Sequence, residues 1–119
     1  MQILNLILAW TSVLCLILCM LPLLKRTRAA QNHPVLKRLA GPHRLYAGLA
    51  FALALVHGLL AGRATAAATG KLAWMALLVL ALLALPRSKL PSALWRRIHT
   101  GLALCLCALA ALHVGHAMV

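Results

Sequence analysis

Four apolar runs alternate with short polar stretches along the chain. The first is Ile3 to Leu24 and the second about His43 to Gly62. The third is Leu72 to Leu85 and the fourth about Ser92 to Met118. A helix needs about 20 apolar residues to cross a hydrocarbon core of about 30 Å. The third run alone spans little more than about 20 Å at 1.5 Å per residue. The Ala-rich stretch before it therefore extends the helix back to about residue 68. The pattern predicts helices over about 3–24, 43–62, 68–85 and 92–118. It reads as one transmembrane domain covering 1–119, an all-α integral membrane four-helix bundle.

The breaks between runs carry turn signals. His33-Pro34 and Gly41-Pro42 punctuate a polar loop from Thr27 to Pro42. Leu36 and Leu39 let a short piece of that loop lie in the membrane interface. Pro42 precedes the second run, where a first-turn proline is tolerated. Pro86 stops the third run, and Pro91 closes the next turn. A signal peptide would open with a basic region and end at a small-residue cleavage site. The first run instead has no charge before it and Lys25, Arg26 and Arg28 after it. The expectation is a retained helix.

Composition makes the membrane reading firm. Of 119 residues 65% are hydrophobic and 10% charged, with no Asp or Glu. A soluble surface needs interspersed charge of both signs. Without carboxylate side chains, acid–base catalysis by Asp or Glu is excluded. The formal charge of +12 does not point to nucleic acid, because the cations sit in short clusters between apolar runs and aromatics are few. Such clusters are topology signals and contacts for anionic lipid. Lys25, Arg26, Arg28, Lys37, Arg38 and Arg44 mark the first loop, and Arg87, Lys89, Arg96 and Arg97 the third. The middle loop has only Arg63 and Lys71. The bias predicts a multi-pass protein of the cytoplasmic membrane with both termini outside. Helices two and four then run parallel, from inside to outside.

Cys15, Cys19, Cys105 and Cys107 lie inside apolar runs, at spacings unlike the usual zinc motifs. They read as small hydrophobes.

Histidine carries the chemistry. His43 and His57 are 14 residues apart on helix two, and His99 and His113 are 14 apart on helix four. At about 100° per residue, 14 residues return to within roughly 40° of the same face, about 21 Å further along the axis. Parallel helices set His43 level with His99 near the cytoplasmic side. His57 is then level with His113 near the outer side. A bare ion would want more protein ligands than two imidazoles. Heme brings four equatorial nitrogens and needs only axial ligands. Two stacked, bis-His b hemes fit the spacing, with His43 and His99 on the inner iron and His57 and His113 on the outer.

The stripes between these histidines are His43, Ala47, Ala50, Ala54, His57 and His99, Ala103, Leu106, Ala110, His113. Small residues leave room for a porphyrin, although they also serve close helix packing. Arg44, Arg96 and Arg97 flank the inner pair, while Arg63 and Lys71 are the outer cations. Each is a candidate for a heme propionate, or an ordinary topology charge. His116 falls about 100° off the helix-four face, and His33 is a loop residue without an assigned role.

The stretch Trp95-Arg96-Arg97-Ile98-His99, then His113, with His43-Arg44 and His57 before them, resembles the ferric reductase-like transmembrane heme domain. That group includes NADPH oxidases, metalloreductases and the heme-binding membrane subunit of the bacterial sulfoxide-reductase system. The resemblance covers about residues 42 to 118. It implies hemes held between two parallel helices separated by one helix. Members usually have six helices and many carry flavin and nicotinamide domains, so this chain resembles a reduced core. It is expected to be at most the electron-transfer core or subunit of an oxidoreductase, with no catalytic domain of its own.

Two functions compete. One is a cytochrome passing electrons across the membrane between a donor and an acceptor, each a protein or a quinone. The other is a membrane anchor subunit of a larger complex, heme-bearing or heme-free. Transport usually needs an ionisable site near the midplane or a broken helix, and the midplane here is Ala and Leu.

Overall fold

The computed structural model describes residues 1–25, 27–62 and 67–119. Among these residues the fold is all-α, with no strand. The long helices are α1 (Gln2–Leu24), α4 (His43–Ala61), α5 (Ala67–Leu83) and α6 (Ser92–Met118). Two short ones, α2 (Arg28–Gln31) and α3 (Pro34–Leu39), lie between α1 and α4, and a 3-10 turn, Leu85–Ser88, follows α5. By length and composition α1, α4 and α6 are each able to cross a membrane. The chain is thus a membrane protein. At 17 residues, α5 is apolar but sits at the lower limit for a span, about 25 Å long.

Large apolar side chains such as Ile3, Ile7, Leu45, Leu59, Leu72 and Leu104 are exposed. The buried set is small: Cys15, Ala40, Ala50, Leu77, Leu80, Leu106 and Ser12. In water this inversion would cost about 25 cal/mol per Å² of exposed apolar surface; among acyl chains it costs nothing. Hydroxyls in α1 are satisfied inside the helix. Thr11 Oγ1 donates to the Ile7 carbonyl at 2.7 Å and Ser12 Oγ to the Ala9 carbonyl at 2.9 Å, the back-bonding expected where water is absent.

The chain divides into two compact units, Met1–His57 and Gly58–Val119. In the first, two contacts fix the direction of α4 against α1. Asn5, in the first turn of α1, bonds His57 near the end of α4. Cys19, late in α1, points its thiol at the carbonyl of His43, the first residue of α4, at 3.8 Å. The two helices are therefore antiparallel. The segment expected as a polar loop, Thr27 to Pro42, instead winds into α2 and α3. His33 is extended (φ −100°, ψ 107°), as a residue before proline must be, and Pro34 opens α3. Ala40 buries itself at its end, with its amide on the Leu36 carbonyl at 3.0 Å. Val35 and Leu39 are exposed and Leu36 half-buried.

The second unit repeats the plan. Thr69, at the start of α5, meets His113 near the end of α6. Trp95, at the start of α6, donates its indole N–H to the carbonyl of Leu83, the last residue of α5, at 3.0 Å. These helices are antiparallel too. The bond satisfies one of the carbonyls that a helix end leaves without an intrahelical partner. The α-helix stops at Leu83, two residues short of the expected 85. Pro86 disfavours α geometry at the residue before it, and the chain tightens into the 3-10 turn.

Candidate functional site

Every residue of both histidine stripes is buried or half-buried. On α4 the one buried residue is Ala50, at 0% exposure, midway between His43 and His57. On α6 it is Leu106, at 5%, midway between His99 and His113. Ala47, Ala54, Ala103 and Ala110 are half-buried, as are all four histidines. His33 and His116 are exposed. Burial thus separates the four histidines chosen for their spacing from the two set aside.

The rings are held individually. Asn5 Oδ1 lies 2.7 Å from His57 Nδ1. A carboxamide oxygen only accepts, so this bond forms when the ring has its proton on Nδ1 and donates it. Its Nε2 is then the lone-pair nitrogen, the form in which imidazole ligates a metal. His113 Nδ1 shares a hydrogen bond of 3.2 Å with Thr69 Oγ1. Its ring also lies against the backbone of Gly70, where a Cβ would stand 2.8 Å from His113 Cε1. His99 stacks on Trp95, one turn earlier, with centroids 4.7 Å apart and planes 12° from parallel. Since Trp95 is itself fixed to Leu83, the stack transmits the position of the α5 end to the His99 ring.

The candidate cations sit at helix ends. Arg44 follows His43 in the first turn of α4, and Arg96 and Arg97 lie in the first turns of α6; all three are exposed. Lys71, exposed, is next to Gly70 at the start of α5. Arg63 lies outside the described residues, as does Arg26 of the first basic cluster.

Among the described residues, no three His or Cys side chains gather into a set that could hold a bare ion, and Asp and Glu do not occur. The donors present are imidazoles spaced along two apolar faces, one in each unit. Each face offers imidazole nitrogens, donors able to ligate iron.

No family model, curated protein or solved structure matches this chain.

Sequence reasoning singled out the four histidines but not their neighbours Asn5, Thr69 and Gly70. Asn5 did leave a signal. It is the one amide placed within the first apolar run, after Ile3 and Leu4, and polar groups in a span usually have a named partner. Thr69 and Gly70 left less, because the stretch before the third run is all small residues.

Proposed function

We propose that the chain is a diheme b-type cytochrome that carries electrons across the cell membrane, from a cytoplasmic-side donor to an outer-side acceptor. The observation that carries this reading is the repeated histidine pair. Two apolar helices each present two half-buried histidines 14 residues apart, with the most buried residue of the helix between them.

In this reading the four long helices form a spanning bundle with α4 and α6 parallel and both termini outside, as the basic clusters direct. His43 and His99 would hold the heme on the cytoplasmic side, and His57 and His113 the one on the outer side. When bound, heme supplies a one-electron iron couple at each level. The chain's part is to bind, orient and insulate. With two imidazoles for each heme, the group would pass electrons rather than bind a substrate. Asn5 and Thr69 hold the outer rings, while the Trp95 stack holds His99. Arg44, Arg96 and Arg97 are placed to take propionates on the inner side, and Arg63 and Lys71 on the outer. Ala-rich stripes and exposed aliphatic side chains keep water away and face lipid. The partners are the bilayer and a donor and acceptor that are redox proteins or quinone. Kinship with the ferric reductase-like heme domains, as their core or subunit, belongs to the same proposal.

An absorption spectrum of the detergent-purified protein tests it. The expected result is a reduced low-spin bis-His spectrum with about two hemes per chain. A folded, colourless protein overturns the cytochrome and leaves a membrane anchor.

A further inference from the structure

Two polar side chains from the neighbouring helices reach the two outer histidines, one in each unit. Asn5 belongs to α1 and bonds His57 at Nδ1. Thr69 belongs to α5 and bonds His113, also at Nδ1. All four side chains are half-buried. Neither Asn5 nor Thr69 belongs to a histidine stripe, and each lies on an apolar helix where a polar group is costly unless partnered. Gly70, the residue after Thr69, leaves the His113 ring its space.

We infer that Asn5 and Thr69 are positioning residues that set the proton of the outer histidines on Nδ1, so that each presents Nε2 as its ligating nitrogen. This rests on the cytochrome reading for its purpose, but its geometry stands within each unit. Asn5 Oδ1 accepts and cannot donate, so a bond to His57 needs the ring proton on Nδ1. For His113 a hydroxyl serves as acceptor when the ring donates. An imidazole left to itself divides its proton between both nitrogens; a fixed acceptor at Nδ1 removes that choice and pins the ring. It also makes Nε2 the more electron-donating ligand, which favours the ferric state of a bound iron and lowers its potential. In this account α1 and α5 are more than packing for the histidine helices, because each contributes one orienting group.

The test is a histidine ring 15N–1H spectrum of the full chain as purified, under reducing conditions in which bis-His iron is low-spin and diamagnetic. Wild type should show protonated Nδ1 resonances for His57 and His113, protected from exchange. Asn5→Leu should shift the His57 Nδ1 resonance and remove its exchange protection while leaving that of His113, and Thr69→Val, close to isosteric, should do the reverse. Both variants are more apolar than wild type, which suits a helix in lipid. In the heme-loaded protein either variant should also raise the potential of one heme and leave the other near its wild-type value. A His57 proton on Nε2 in wild type overturns the inference without recourse to any variant, and so does an unchanged His57 resonance in Asn5→Leu. Protected Nδ1 protons on a colourless protein would support the positioning and sink the cytochrome, so the two failures are distinct.

Discussion

In the proposed cytochrome His113 would ligate iron and must be placed closely, and its placement depends on an absent side chain. Adding a Cβ to Gly70 would put it 2.8 Å from Cε1, 3.2 Å from Nδ1 and 3.4 Å from Nε2 of that ring. Backbone and ring cannot both stay, since α5 and α6 are pinned together by Trp95 and Leu83 at their other ends. Alanine is the better helix former by about 0.5–1 kcal/mol, so the helix itself gains from the change and the loss falls on the ring. We expect Gly70→Ala to lower heme from about two to about one per chain by displacing His113. Gly48, in the middle of α4, has nothing within 4 Å of an added Cβ, and Gly48→Ala should keep both hemes. Pyridine hemochrome counts on the two variants decide it. Equal counts would mean that the His113 ring is not held against α5 in the working protein.

At the scale of elements, the long helices were legible because their apolar runs are long and their ends are marked. His43 opens α4 directly after Gly41-Pro42, and Ser92 opens α6 after Pro91. Less legible was Thr27 to Pro42, where polar composition suggested a loop while Pro34 at a first-turn position nucleates α3. The candidate site was half readable. A 14-residue spacing appears in one strand of text, whereas the Asn5–His57 bond joins residues from two helices that only folding brings together. What the spacing does predict is how lesions combine. His43→Ala should cost one heme and His99→Ala the same one, so the double variant should lose about one heme, no more than either single. His43→Ala with His57→Ala should lose both. Residues acting on one site are not additive, and those on separate sites are. Heme counts on the singles and the two doubles check this. A His43→Ala, His99→Ala protein with no heme would break the assignment of partners.

The whole molecule carries twelve basic side chains and no acidic ones, and this asymmetry orders it in the membrane. In the proposed topology the densest cations, from Lys25 to Arg44 and from Arg87 to Arg97, lie on the cytoplasmic face. The two ends of α4 and α6 then face different compartments. Histidines 14 residues apart are about 21 Å apart along a helix axis, most of a hydrocarbon core of about 30 Å. In the proposed cytochrome neither level alone reaches both aqueous sides, so both would be needed for electrons to cross. With a reductant trapped inside vesicles and a membrane-impermeant acceptor outside, wild type should reduce the acceptor and heme-free vesicles should not. His57→Ala should slow transfer at least tenfold, although the heme held by His43 and His99 stays bound and reducible from its own side. The retained heme matters to the interpretation, because it separates a broken path from an unfolded protein. A flash-reduced signal from the inner heme with no acceptor reduction is the expected signature. Should His57→Ala and wild type transfer at the same rate, electrons do not pass through the outer pair. The histidines would then serve to hold the helices together around heme, and the chain would be the heme-bearing anchor of a larger complex.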